Sequence, residues 1–377
     1  MECDLLVRGG IVVDGTGMPR RRADVAVRDG RIVRVARLSD VEARVVVDAD
    51  GLVVAPGFVD PHTHLDAQLC WDPVGTPSVQ HGVTTVLTGN CSVTLAPCRE
   101  ADRDSLARLF YLVEEVPLEC FRQGIEWTWE TFGEFLDSLD GGLGVNVAAL
   151  VGHSALRYYA MGPASYERAA TDAELDAMRE VLRASMLDGA VGFSTSRLVF
   201  HAGEGGRPIP SRMADDREVE ALCGVLGELG TGIFETDGGA TLDVFPQHVR
   251  ELAGPIAART GCTVLLGGTV QEWGSPGTWG DVYAAIDEFQ RQGARIFTQV
   301  TPCAMDLFFS LEDTIVFADL PAWNAVMALP RAERLVAFRD PNVRDALQFD
   351  AVDDTTPRFF SRRWDTVLVT SVPSPEN

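Results

Sequence analysis

Lysine is absent from this chain of 377 residues; all 32 basic residues are arginine. That removes any Schiff-base lysine, any phosphate-loop lysine and any carboxylated lysine bridging two metal ions. Basic charge is short altogether, since 55 acidic residues leave a formal net charge of −23. A grip on nucleic acid is excluded, because neutralising phosphates needs a basic surface. No apolar run approaches the ~18–20 residues of a membrane span. The opening Met1-Glu2-Cys3-Asp4 lacks the basic and apolar regions of an export signal. The eight cysteines never form a CxxC pair. Reduced thiols in the cytoplasm are expected, most of them buried fillers such as Cys70 and Cys98. Histidine is scarce too, with six in all, so any pairing among them is informative.

What is present is ordinary globular composition, 46% hydrophobic and 23% charged. Residues 1–55 are strand-like, with turns at Gly9-Gly10, Asp14-Gly15, Asp29-Gly30 and Asp50-Gly51. They read as Asp4–Arg8, Ile11–Val13, Asp24–Arg28, Arg31–Ala36 and Ala43–Asp48, a small β-sandwich. From residue 56 to 377 short apolar runs alternate with helical periodicity, the pattern of βα units on a parallel sheet. The runs are Val53–Asp60, Val83–Thr88, Val145–His153, Ala190–Ser194, Gly232–Thr236, Thr263–Gly268 and Arg295–Thr301. Between them helices are predicted at Asp102–Val116, Thr131–Leu139, Asp172–Asp188, Asp216–Leu229, Val244–Arg259 and Asp281–Gln292, with further helix-like stretches at Pro321–Ala328 and Arg331–Arg339. The fold class is α/β: a TIM-like (β/α) barrel lacking its last strand, because a closed barrel needs eight. The β-rich run Trp364–Thr370 is not counted as the eighth, since no carboxylate stands at its C-terminal end and no helix follows.

Two histidines form His62-Thr63-His64 directly after an apolar run. Alternation along a strand points i and i+2 to one side, so both imidazoles can converge at the strand's C-terminal end. Parallel barrels place their active sites there, and neutral imidazole suits Zn²⁺ and related ions. Cys91, in Thr88-Gly89-Asn90-Cys91-Ser92, ends the next run and faces the same rim. A thiolate there is a natural metal ligand where lysine is missing.

These stretches resemble the amidohydrolase superfamily, and within it the N-acyl-D-amino-acid deacylase branch. The resemblance is carried by Asp4-Leu5-Leu6-Val7-Arg8-Gly9-Gly10 with Val13-Asp14-Gly15-Thr16-Gly17, by residues 56–66 around the paired histidines, by His81-Gly82-Val83-Thr84-Thr85 and by Gly89-Asn90-Cys91. Val151-Gly152-His153-Ser154-Ala155-Leu156-Arg157 and Gly192-Phe193-Ser194-Thr195-Ser196-Arg197 match as well. The resemblance implies a metal-dependent hydrolase barrel that cleaves a non-peptide amide C–N bond with one or two divalent ions, zinc foremost, and makes Cys91 a ligand. The fifth and sixth family strands usually each bring a histidine. Here Ile233–Asp237 and Leu265–Thr269 contain none, and Glu235, or Asp237 behind it, stands in. The family's general base, an Asp on the eighth strand, has no counterpart here, and family members are longer.

The expected metal set is therefore His62, His64, Cys91 and Glu235. Asp66, Asp237 and the strand-end His153 are the catalytic candidates, and Arg157, Ser194, Arg197 and His201 the substrate-binding ones. His81 and His248 read as structural. An N-acyl amino acid brings a carboxylate that arginine can hold bidentately. Two other readings stand beside deacylation: an incomplete, non-catalytic metal-binding relative or one part of a split enzyme needing a complementing chain or a homo-oligomer, and a cyclic-amide hydrolase. No nucleic acid and no membrane is expected as partner.

Overall fold

A computed structural model describes residues 2–114, 116–203, 207–240, 242–269, 277–301, 309, 311, 314, 316–317, 320–353 and 364–370. Two compact units emerge: Met1–Val59 with His81–Thr84, and Asp60–Gln80 with Thr85–Asn377.

The first unit is built on β1 (Glu2–Val12), β2 (Arg21–Arg28), β3 (Arg31–Ala36), β4 (Glu42–Asp48) and β5 (Val53–Val54). In place of an expected sandwich these strands make one five-stranded sheet, ordered β3-β2-β1-β4 with β5 also on β1. The two short strands expected before residue 14 are a single strand, because Gly9 at φ 76° absorbs a bulge between Val7 and Gly10. A Cβ at Gly10 would stand 2.4 Å from Val54, so only glycine lets β5 approach. Asp29-Gly30 closes the β2–β3 hairpin with both φ positive, as a tight turn between right-twisted strands demands. Leu6 and Ala26 are buried with Cys3 and Leu38, while Val12, Ala23 and Val25 form a second cluster. Adjacent residues point opposite ways along a strand, so both faces carry apolar side chains.

The second sheet has seven strands in strict chain order: β6 (Phe58–Asp60), β7 (Val83–Thr88), β8 (Asn146–Gly152), β9 (Gly192–Thr195), β10 (Ile233–Thr236), β11 (Thr263–Leu266) and β12 (Ile296–Thr298). The registered neighbours from β7 to β12 are all parallel. This is the βα succession of a TIM-like fold, and no eighth strand joins it among the described residues. The expected run Val53–Asp60 is split between β5 and β6, because Pro56 lacks the N–H a continuous ladder would need. Trp364–Thr366 is a short 3-10 turn and not a strand.

Helices follow the strands as the periodicity predicts, with differences that have local causes. Thr131 and Thr171 cap Phe132–Leu139 and Asp172–Leu187 by reciprocal bonds with Glu134 and Glu174. The predicted helix Val244–Arg259 is broken into Phe245–His248, a π turn Val249–Ala253 and Gly254–Thr260. Pro255 has no N–H to continue the α ladder, and a widened turn accommodates its ring. Helix His153–Met161 was hidden in the sequence because an apolar run leads straight into it. Leu118–Gly124 and Pro341–Val352 are further helices without a sequence signal strong enough to predict them. Phe110, Phe121, Phe132, Phe135, Phe193 and Phe234 are fully buried and form much of the apolar interior of this unit. No helix among the described residues is long and apolar enough to cross a membrane.

Candidate metal centre

His62 and His64 leave β6 on one side while Thr63 turns to the other. The Thr63 N–H and Oγ1–H both donate to the Leu87 carbonyl, at 3.1 and 2.9 Å, and Asn90 Nδ2 donates to the Thr63 carbonyl. The dipeptide step is thus pinned to β7, and the two imidazole rings meet edge to face with centroids 5.2 Å apart. Cys91 closes the group: its Sγ is 3.3 Å from His62 Nε2. One ligand atom each of His62, His64 and Cys91 lie within 4.8 Å of one another.

The thiol reaches this point only because the chain turns sharply after β7. Gly89, Cys91 and Ser92 all have positive φ, 78°, 54° and 71°. A Cβ on Gly89 would lie 2.2 Å from the Leu150 carbonyl, which restricts that position to glycine. Left-handed non-glycine residues cost about 1–3 kcal/mol each and persist only where surrounding contacts impose them. Here the Cys91 N–H donates to Glu235 Oε2 and the Ser92 N–H to Ser194 Oγ, both at 3.2 Å. Ser194 Oγ–H donates to the Gly89 carbonyl, and Ser92, Ser154 and Ser211 share a chain of buried hydroxyls. Ser194, expected at the substrate, is therefore spent on holding the Cys91 turn.

Electrostatics at the cluster favour a cation. Burial, then Glu235, Glu114 and Asp237, push the Cys91 thiol well above its ordinary value. Burial likewise lowers both imidazoles and leaves them neutral, the form that ligates metal. Burial, Asp237 and Glu114 raise the Glu235 carboxyl well above the carboxylate range. Beside the cluster the buried Glu235 Oε1 lacks a hydrogen-bond partner, and His64 Nδ1 meets the Glu114 carboxylate at 3.3 Å. Borderline-soft thiolate and imidazole donors, neutral rings and an orphaned polar atom all fit Zn²⁺, whose charge would reverse the penalty on the thiolate.

Several expected site residues are committed elsewhere. Glu235 stays outside the three-atom group: it holds the Cys91 amide, and its Oε1 is 4.0 Å from His62 Nδ1, the nitrogen turned away from Cys91. Both oxygens of Asp237 accept backbone N–H groups, from Arg197, Leu198 and Gly239. It caps a loop, with its carboxyl raised by burial to about 6. Asp66 Oδ2 accepts the Gly89 N–H at 3.2 Å, and burial raises this carboxyl to about 7. Asp237 spends both oxygens on backbone, whereas Asp66 props Gly89 with Oδ2 and keeps a buried Oδ1 without a hydrogen-bond partner.

His153 does not end a strand but begins a helix, and it is wholly buried. Its Nε2–H donates to Glu218 and its Nδ1 accepts from Thr195, both at 2.8 Å. Arg157, also wholly buried, gives Nη1 to both oxygens of Glu218 and Nη2 to the carbonyls of Ser165 and Arg168. These partners exhaust His153 and occupy both terminal nitrogens of Arg157, so neither is available to a substrate. Glu218 carried no motif; only its approach from the helix Asp216–Leu229 reveals it.

Arg197 has two side-chain nitrogens uncommitted. Nη1 pairs with Asp216 at 2.6 Å, while Nε and Nη2 are buried donors without a hydrogen-bond partner. His201 Nδ1 bonds Ser196 Oγ at 2.7 Å, and burial, with the Arg212 charge nearby, lowers the ring to about 3. Glu114, unexpected from the sequence, puts a carboxylate oxygen 3.3 Å from His64 Nδ1. His248 is packed against Thr236, and His81 is exposed.

A family model described as the amidohydrolase family matches residues 45–297. The chain belongs to this family. Among amidohydrolases it is 40% identical over 234 residues to the D-aminoacylase of Alcaligenes xylosoxydans xylosoxydans, covering 62% of this chain and 44% of that protein. It is 41% identical over 267 residues to the N-acyl-D-aspartate deacylase of the same organism, covering 71% and 47%. The N-acyl-D-glutamate deacylase of Bordetella bronchiseptica, solved with zinc and a phosphonate inhibitor, superposes with a TM-score of 0.66 at 32% identity, covering 80% of this chain and 59% of that one. A crystal structure of a D-aminoacylase gives the same TM-score at 31% identity. The chain spans about half the length of the curated relatives it matches.

Proposed function

We propose that this chain carries the metal-binding part of a zinc-dependent amidohydrolase acting on N-acyl-D-amino acids, with zinc held by His62, His64 and Cys91. The convergence of those three ligand atoms within 4.8 Å carries the reading, and the names of its relatives supply the substrate class. Bound zinc supplies Lewis-acid polarisation of the scissile carbonyl and acidifies water from ~15.7 toward ~7. Glu235 is the proton carrier: with a cation beside it favouring the carboxylate over the burial-raised acid, its unpartnered Oε1 would take the proton lost by the attacking water and give it to the leaving nitrogen. Arg197 receives the substrate carboxylate on Nε and Nη2, a charge-assisted pair that favours an open-chain N-acyl amino acid over a ring without a carboxylate. A thiol–imidazole nucleophile is disfavoured, since burial first and the surrounding acidic groups second oppose a free thiolate. The seven cysteines among the described residues are free, which supports a reducing cytoplasm as its place of work.

The test is turnover of N-acetyl-D-amino acids by the zinc-loaded protein. Hydrolysis that disappears in His62→Ala supports deacylation; zinc bound without turnover favours an incomplete relative that needs a complementing chain. Arg197→Gln is expected to raise KM about 10–100-fold with little change in kcat, the loss of about 1.5–3 kcal/mol for a hydrogen-bonded charge. Unchanged KM would remove Arg197 from the substrate site.

A further inference from the structure

We propose that Gln299 sets the tautomer of His62 and so presents the lone pair of His62 Nε2 to the metal position beside Cys91. The metal half of this inference rests on the reading above; the tautomer half rests on hydrogen bonding alone. Gln299 follows β12 and is nearly buried. The two ends of its amide are chemically distinct, and their neighbours identify them. One end lies 2.9 Å from the Pro61 carbonyl oxygen. A carbonyl only accepts, so the amide nitrogen must be there and must donate. The other end, Oε1, then faces His62 Nδ1 at 2.8 Å. An amide oxygen also only accepts, so Nδ1 must carry the proton. A neutral imidazole has one N–H, which leaves Nε2 bare, 3.3 Å from Cys91 Sγ.

The opposite tautomer would set a ring lone pair against Oε1 and aim an N–H at the metal position. Gln299 is itself fixed, because its N–H donates to the Leu266 carbonyl at 3.1 Å and its own carbonyl accepts from Thr269 N–H at 2.8 Å. It thus spans from β12 to both the ring of His62 and the peptide just before it. Acceptors behind metal-bound histidines commonly orient them. An amide does so without adding charge where Glu114, Glu235 and Asp237 already act on Cys91. Gln299 is a positioning residue and acts through His62.

The test reads the tautomer and the metal separately. In the metal-free protein, long-range proton–nitrogen NMR, with His62→Gln to assign the ring, is expected to find the proton on Nδ1 of His62. Gln299→Leu is expected to lose that preference and to bind zinc about 10–100-fold more weakly in a titration with zinc alone. Gln299→Glu keeps an acceptor for His62 Nδ1 but loses the donor to the Pro61 carbonyl, and is expected to retain the Nδ1–H tautomer that the leucine variant loses. Gln299→Met replaces the leucine variant if that one does not fold. A Gln299→Leu or Gln299→Met protein with wild-type tautomer and wild-type affinity overturns the proposal. Wild-type protein with Nδ1–H that takes up no zinc overturns the metal reading while the tautomer assignment stands. Wild-type protein that binds zinc but carries Nε2–H when metal-free overturns the role of Gln299 alone.

Discussion

Alanine in place of Cys91 is expected to cut zinc affinity by about 10²-fold or more and to abolish turnover with it. Structural zinc sites of four ligands are worth about 10–16 kcal/mol in all, so one ligand accounts for about 3 kcal/mol. Once ionised by the metal, the thiol would also be the anionic member of the proposed ligand group, the other two being neutral rings. Cys91→Ser should fail nearly as badly, because a serine hydroxyl does not ionise at neutral pH. The fold should tolerate either change. Alanine and serine carry a Cβ like cysteine, so the strain at φ 54° is unaltered. The measurement is thermal unfolding with and without zinc. Wild-type protein at zinc 100-fold above Kd gains about 2.7 kcal/mol, and the variants should gain almost none. A variant that is stabilised by zinc as strongly as wild type would remove Cys91 from the site.

Glu218→Gln is expected to destabilise the chain by about 3–5 kcal/mol, a large share of the ~5–15 kcal/mol that holds a typical domain folded. Arg157 is wholly buried and faces both Glu218 oxygens; without the carboxylate its charge is left uncompensated. The same ion pair gives a pH signature. Burial alone would raise the Glu218 carboxyl, but His153 and Arg157 outweigh it and hold it down to about 2 from the ordinary 4.5. The unfolded chain therefore protonates first as pH falls. This contribution is complete above about pH 5 and drains away as pH drops toward 2. Denaturant unfolding at pH 7 and pH 3.5 should show that acid loss in wild type and a much smaller one in Glu218→Gln. If the single variant does not fold, Glu218→Gln with Arg157→Met, which removes the stranded charge, should recover part of the stability. Equal stability of wild type and Glu218→Gln at pH 7 would disprove the buried pair.

The parts of the site legible in the sequence follow from local geometry. Alternation on a strand brings His62 and His64 together whatever lies around them, and a cysteine at the end of the next parallel strand must reach the same rim. The βα alternation likewise announces the sheet order without knowledge of any contact. The parts that were missed depend on partners distant in the chain. Arg157 has the sequence position of a substrate-binding arginine, yet a glutamate 61 residues away claims it. Asp237 has the position of a base, yet three backbone amides of neighbouring loops consume both its oxygens.

Chemical type and strand order were thus decided by the amino-acid sequence: which donors exist, that lysine is not among them, and which side of a strand two imidazoles share. Which nitrogen of His62 is bare, and which carboxylates stand free or committed, was decided by the tertiary structure alone. The acceptor behind His62 is 237 residues away. No periodicity encodes a hydrogen bond between side chains that meet only after seven strands have closed alongside one another.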